Sequence, residues 1–328
     1  MILPGEKLGL LGGGQLGRMF TIAARTIGYD VVVLDPDENS PAGALANEHL
    51  CAPYDDIESL NYLANTCAAV TTEFENVPAS SLEHIMQKTP VRPEPESIQI
   101  ARDRILEKQT IRNIGLPTTK YHVIERDADL IPAIDEIQLP AILKTATLGY
   151  DGKGQVNVEK SEDLAPAYEE LGRKPCVLEQ RINLKREVSV VLARSDCGHV
   201  ESYPIGENQH CDGILDITIV PGRISDAVAF EAGKMARMLA EELNYVGVLA
   251  VEFFIDQDDH LMINEMAPRP HTSGHYTLDA CRTDQFQQQV RTLCGFRPGY
   301  TTLSKPAVMV NILGDAWKNG EPHWGELL

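Results

Sequence analysis

The stretch from Lys7 to Asp35 constrains this chain more than any other. Lys7-Leu8-Gly9-Leu10-Leu11 is a short apolar run that stops at Gly12, the pattern of a buried parallel strand. Gly12-Gly13-Gly14-Gln15-Leu16-Gly17-Arg18-Met19 follows. A helical stretch then passes through Ala23, Ala24 and Ile27, Gly28 punctuates it, and Val31-Val32-Val33-Leu34-Asp35 reads as a second strand. Two strands joined by a crossover helix commit the chain to a parallel sheet. The rhythm repeats with a helix over 60–67, a strand over 68–72 and a helix over 80–88. Arg92-Pro93-Glu94-Pro95 breaks it, because proline biases its neighbours away from helix.

Beyond that break the pattern changes. One helix is expected from Ser97 to Asn113, carrying Arg104 and Lys108. Strands are expected over 141–145, 155–158 and 176–180. Residues 187–194 alternate polar and apolar, the signature of a half-buried antiparallel strand. A long helix over 226–243 precedes two strands, 246–255 and 260–264, joined by Asp256-Gln257-Asp258-Asp259 as a hairpin turn. The front third therefore reads as doubly wound α/β and the remainder as α+β, with no internal repeat.

Composition removes several classes. The formal charge is −19 over 328 residues, which disfavours broad binding to a phosphate backbone. The seven cysteines are widely spaced with no C-x-x-C, which disfavours a disulfide framework or a structural zinc site and fits reduced thiols in the cytoplasm. No signal peptide or membrane span is expected.

Two constellations carry chemistry. Gly12, Gly14 and Gly17 satisfy G-x-G-x-x-G, and Asp35 ends the next strand eighteen residues after Gly17. That is the dinucleotide fingerprint with its ribose-binding acid, so an NAD(P)-dependent dehydrogenase is one reading. A tight βα turn alone also favours glycine. The second constellation begins at Lys144 on a strand, followed by Gly149-Tyr150-Asp151-Gly152-Lys153-Gly154, a loop whose backbone N–H groups can fold over phosphates. Glu252 and Glu265 lie on neighbouring strands among apolar residues. Two such carboxylates repel unless a cation lies between them, and magnesium fits, with Asn264 as a third oxygen ligand. His271 and His275 lack the helical context of a zinc motif and are expected to contact substrate.

These segments together resemble the ATP-grasp superfamily and, within it, the N5-carboxyaminoimidazole ribonucleotide synthetase family. The resemblance rests on Gly12 to Met19, on Glu73-Phe74-Glu75-Asn76-Val77-Pro78, on Gly149 to Gln155, on His210-Cys211-Asp212-Gly213-Ile214 and on the run Asn264 to His275. It implies a pre-ATP-grasp α/β domain over 1–100, a central ATP-grasp lid over 101–185, a large ATP-grasp subdomain over 186–300 and the start of a further segment over 301–328. Relatives usually continue beyond this point, so the chain is expected to be truncated there. The implied activity is a carbon–nitrogen ligase of purine biosynthesis. It would carboxylate 5-aminoimidazole ribonucleotide, using ATP and bicarbonate, through carboxyphosphate. Another ATP-grasp ligase or carboxylase is the nearest alternative.

The resemblance also implies site residues. ATP would be bound by Arg104, Lys144, Gly149, Tyr150, Asp151, Gly152, Lys153, Gly154, Gln155, Glu179, Gln180, Arg181, Ile182, Glu187, His210, Asn264 and Glu265. Magnesium, or manganese in its place, would be held by Glu252, Glu265 and Asn264. Arg269, Lys144 and Asp151 would be catalytic. Glu73, Tyr150, Asp151, Arg269, His271 and Ser273 would contact substrate. The partners would be small molecules, with neither nucleic acid nor membrane, and the protein would be a cytoplasmic homodimer.

Overall fold

The computed structural model describes residues 1–147, 149, 153–318 and 320–327. The chain opens with β1 (Lys7–Leu11), α1 (Gln15–Ile27), β2 (Asp30–Leu34), β3 (Glu48–Leu50), α2 (Ile57–Thr66), β4 (Ala69–Thr72) and α3 (Ala79–Met86). The four strands form a parallel sheet in the order β3-β2-β1-β4. Leu8, Leu10, Val31 and Val33 pack on one face, and Leu11, Val32, Leu34 and Val70 on the other. Helix α1 ends where Gly28 takes φ +105°, a left-handed conformation only glycine adopts cheaply, and its N–H returns to Ala24 and Arg25 carbonyls.

Next come α4 (Pro95–Arg102) and α5 (Arg104–Asn113), where one helix over 97–113 is expected from sequence. The break is Asp103. Its backbone is extended, and its carboxylate accepts the N–H groups of Ile105 and Leu106. A short acidic side chain thus competes for the backbone and starts a new helix.

The middle of the chain contains β5 (Tyr121–Ile124), α6 (Leu130–Glu136), β6 (Ala141–Thr145), β7 (Gln155–Val158), α7 (Leu164–Glu170) and β8 (Cys176–Gln180). Its strands form an antiparallel sheet ordered β5-β8-β6-β7. The last part contains β9 (Leu184–Arg194), β10 (Val200–Ser202), β11 (Gly206–Cys211), β12 (Ile214–Val220), α8 (Asp226–Glu242), β13 (Gly247–Asp256), β14 (Leu261–Ala267), α9 (Thr277–Ala280), α10 (Gln285–Leu293) and β15 (Ala307–Val310). Its antiparallel sheet runs β14-β13-β9-β11-β12-β15, with β10 beside β9.

Strand β9 differs from its expectation. It is antiparallel, but Val188 to Arg194 are all buried. As a central strand it is covered on both faces, by α8 against Val188, Val190 and Leu192, and by Tyr203 and Tyr276 against Val191 and Ala193. The β13–β14 hairpin forms as expected, with Asp259 at φ +66° in its turn. Helix α10 packs beside β13 and β9 of its own sheet and also reaches the first sheet. Phe286, Val290 and Leu293 join α1 over the first parallel sheet. All seven cysteines are unpaired. Among the described residues no helix is long and apolar enough to cross a membrane.

Candidate active site

A cavity of about 370 Å³ lies where the three sheets converge. Helix α5 brings Arg104 and Glu107 to it, β6 brings Lys144, and the loop into β7 brings Gly149, Lys153 and Gln155. Glu187 on β9, His210 on β11, Glu252 on β13, and Asn264 and Glu265 on β14 line the opposite wall. Arg269, His271 and Glu75 close the end nearest the first sheet.

The two acids sit directly across from each other. Glu252 and Glu265 are register partners in the β13–β14 ladder, with a bulge immediately after Glu252. Their environments differ. Burial and then the Glu265 charge push the Glu252 carboxyl up to about 8. Burial also raises Glu265, but Arg104 and Lys144 outweigh it and hold that carboxyl below its usual range. Arg104 donates to Glu265 at 3.1 Å and to the Gly149 carbonyl at 3.3 Å. Asn264 Oδ1 is buried without a hydrogen-bond partner. Two facing carboxyl groups, one of them kept from ionising by burial and by the other's charge, beside an unused amide oxygen are a donor set of the hard-oxygen type that Mg²⁺ or Mn²⁺ prefers, so these three residues fit the expected ion.

Lys144 is anchored from behind. Its Nζ lies 3.2 Å from Glu179 Oε2, and Lys108 Nζ lies 3.3 Å from the same oxygen. Burial works against the Glu179 carboxylate, but Lys108, Lys144 and Arg104 overcome it and hold the group at about 2. At the end nearest the first sheet, Arg269 donates to Glu75 through Nε at 2.8 Å. His271 Nδ1 meets Ser273 Oγ at 2.9 Å. Burial, then Arg269, lowers the His271 imidazole to about 3, so it is neutral near pH 7. His210 contacts Glu187. Burial pulls that imidazole down, but Glu187 more than compensates and raises it above its ordinary value.

The cavity thus gathers Arg104, Lys144, Gly149, Lys153, Gln155, Glu187, His210, Glu252, Asn264, Glu265, Arg269 and His271. Other expected residues lie elsewhere. Glu179 is buried behind the cavity as the lysines' shared partner. Arg181 turns outward to Glu159 at 2.6 Å. Gln180, Ile182 and Gly154 do not line the cavity, and Ser273 is fully buried behind His271. Tyr150, Asp151 and Gly152 lie outside the described residues.

Glu73 occupies the first glycine motif. Its two carboxylate oxygens accept the N–H groups of Gly14 and, at 2.6 Å, Gly17. Asp35 accepts from Gly13 and from the Tyr54 hydroxyl, both at 2.6 Å. A Cβ on Gly14 would approach Glu73 Oε1 to 2.7 Å, and one on Gly12 would approach Glu73 Cγ to 2.4 Å. These glycines make room for an internal carboxylate on the donors that a dinucleotide pyrophosphate would need. The dehydrogenase reading loses its anion site for that reason.

The sequence assigns no role to Glu75, Glu107 or Lys108, although Lys108 is named on the Arg104 helix. Glu75 stands two residues after Glu73 in the same quoted motif. Glu107 and Lys108 fall three and four residues after Arg104, the spacing that puts side chains on one helix face, and this was the available signal. Glu107 accepts the Met266 N–H at 2.6 Å, and burial, with Glu265 next, raises its carboxyl to about 8.

Known proteins of similar sequence and fold bear on this chain's family. Residues 5–102 match the ribonucleotide synthetase preATP-grasp domain and residues 109–286 match the ATP-grasp domain. The N5-carboxyaminoimidazole ribonucleotide synthase of Bacillus subtilis is 41% identical over 318 residues, covering 97% of this chain and 84% of that protein. The N5-carboxyaminoimidazole synthetase of Staphylococcus aureus complexed with ADP superposes with a TM-score of 0.94 at 37% identity, covering 99% of this chain and 86% of the other. The Aspergillus clavatus enzyme in complex with ADP and 5-aminoimidazole ribonucleotide gives a TM-score of 0.86 at 30% identity, covering 94% and 82%. Sequence, fold and converging side chains lead to one assignment: the chain belongs to the N5-carboxyaminoimidazole ribonucleotide synthase family of ATP-grasp ligases.

Proposed function

We infer that this chain catalyses the ATP- and bicarbonate-dependent carboxylation of 5-aminoimidazole ribonucleotide to N5-carboxyaminoimidazole ribonucleotide in purine biosynthesis. The observation that carries the reading is the opposed pair Glu252 and Glu265 beside the unpartnered Asn264 oxygen, in one cavity with Arg104 and Lys144. Phosphoryl transfer needs such a gathering of cations and oxygen ligands around one space.

In this reading the ATP phosphates lie against Arg104, Lys144 and the glycine loop 149–155, and the ribose reaches Glu187 and His210. Glu252, Glu265 and Asn264 would hold Mg²⁺, or Mn²⁺ in its place, and such an ion would supply neutralisation of phosphate charge. A bicarbonate oxygen attacks the γ-phosphorus, the bond to the β–γ bridging oxygen breaks, and carboxyphosphate and ADP form. The ribonucleotide amine then attacks the carboxyl carbon, phosphate leaves and the amine loses a proton. Arg269 supplies the donor fork for a bicarbonate-derived anion, and Glu75 orients that fork. His271, neutral through burial and the nearby Arg269, is a hydrogen-bonding contact for substrate rather than a second cation. Asp151 and Tyr150 complete the set from the glycine loop, and Lys144 and Arg269 carry the transition-state charge.

The chain is divided on this reading into 1–100, 101–185, 186–300 and 301–328. The seven unpaired thiols support a cytoplasmic setting, and a homodimer is the expected assembly. Light scattering that returned one protomer's mass would overturn the dimer. The activity is tested by ADP release with magnesium, ATP and bicarbonate, with and without 5-aminoimidazole ribonucleotide. Strong stimulation by the ribonucleotide is expected, and equal release without it would refute the assignment.

A further inference from the structure

Lys108 is fully buried and does not line the cavity. Its Nζ contacts Thr118 Oγ1 at 3.2 Å, Thr119 Oγ1 at 3.0 Å and Glu179 Oε2 at 3.3 Å. Both hydroxyl protons are committed elsewhere. Thr118 donates to the Ile263 carbonyl at 2.8 Å and Thr119 donates to Glu179 Oε2 at 2.9 Å. A hydroxyl has one proton to give, so each can only accept from Lys108, and the carboxylate can only accept. Lys108 Nζ thus donates to both hydroxyls and stands at ion-pair distance from a carboxylate that it shares with Lys144.

Glu179 Oε2 takes hydrogen bonds from Lys144 and the Thr119 hydroxyl and pairs with Lys108, while Oε1 is buried with no hydrogen-bond partner. One carboxylate shared by two lysines leaves a net positive charge on the trio. Lys144 is the member that reaches the cavity. Without Lys108, Glu179 would form a one-to-one pair with Lys144, and the charge facing the cavity would be cancelled at its source.

We propose that Lys108 is a positioning residue that keeps Glu179 from neutralising Lys144, so that Lys144 presents its charge to the nucleotide phosphates. This rests on the assignment of the cavity to ATP. Lys108 touches neither phosphate nor metal ligand; it acts through the carboxylate it shares.

The test is calorimetric binding of ATP and of adenosine to the full chain, with magnesium and without bicarbonate. The ratio of the two affinities isolates the phosphate contribution, whereas a merely structural defect lowers both together. Lys108→Met is expected to lower the ATP-to-adenosine ratio by about tenfold or more, the scale of losing one charge-assisted contact to phosphate. The double variant Lys108→Met with Glu179→Gln removes one cation and one anion together and is expected to bring the ratio back to within about threefold of the parent. Parallel loss of ATP and adenosine binding in Lys108→Met, or a ratio that stays low in the double variant, would overturn the proposal. If Lys108→Met does not fold, the double variant decides on its own ratio. A parent protein with no preference for ATP over adenosine would overturn the nucleotide assignment of the cavity, and the proposal with it.

Discussion

Replacing Gln285 by alanine strikes at the segment that carries Arg269 and His271, without touching the cavity. Gln285 is fully buried at the start of α10. Its Oε1 accepts the His271 N–H at 2.9 Å, and its Nε2 donates to the His271 carbonyl at 2.8 Å, so the amide clamps one residue's backbone from both sides. Nε2 also lies 3.2 Å from His275 Nδ1. After truncation the two carbonyl contacts from Gly274 N–H and His275 remain, but the His271 N–H loses its partner. Orphaning one buried donor costs about 1–3 kcal/mol, and losing the second bond adds about 1 kcal/mol. The emptied side-chain volume adds to this unless water enters. The expected destabilisation is therefore about 2–4 kcal/mol, read from urea unfolding followed by far-UV circular dichroism. His271 lines the cavity, and with the proposed role of this residue as a substrate contact, KM for 5-aminoimidazole ribonucleotide should rise more than KM for ATP. Gln285→Glu keeps the acceptor but sets an anion against the His271 carbonyl, and should fail similarly. A cost below about 1 kcal/mol with unchanged KM values would refute the clamp argument.

Three further outcomes are expected. Glu265→Ala should reduce magnesium-dependent ADP release by more than about 100-fold while the circular dichroism spectrum is retained; parent-level turnover would remove the metal assignment. Glu179 is held at about 2 against an ordinary 4.5, because the buried lysines outweigh burial. A depressed carboxyl stabilises the native state above its ordinary pKa and loses that contribution as pH falls towards 2. Urea midpoints from pH 7 down to pH 3 should therefore fall more gently for Glu179→Gln than for the parent, and identical slopes would contradict the buried ion trio. Asp103→Ala removes the cap of α5 and should cost about 1 kcal/mol while raising KM for ATP, since Arg104 is the next residue; denaturant unfolding with no change would show that the cap is idle.

Much of the cavity was legible because its chemistry is written in short runs. Glu252 and Glu265 stood out as carboxylates inside apolar strands, and opposing strands put them face to face. The loop Gly149 to Gln155 stood out for its glycines. Glu73 and Glu75 could not be told apart, since both belong to Glu73-Phe74-Glu75. Only folding sent one carboxylate onto the Gly14 and Gly17 amides and the other to Arg269. Glu179 read as a pocket-lining acid, because nothing local reveals that a lysine from α5 and another from β6 meet on its far side.

Local sequence determined the βαβ opening, the hairpin of β13 and β14, and the types of residue available for the site. Those features depend on side-chain periodicity, glycine conformation and turn chemistry, which act over a few residues. Tertiary structure decided what the glycine motif holds, which lysine faces the cavity, and that α10 packs across the first sheet. Each of those outcomes needs a charge or an apolar face to find its partner across tens to hundreds of residues. The energy of such a meeting depends on burial, which no single segment possesses before the chain has folded.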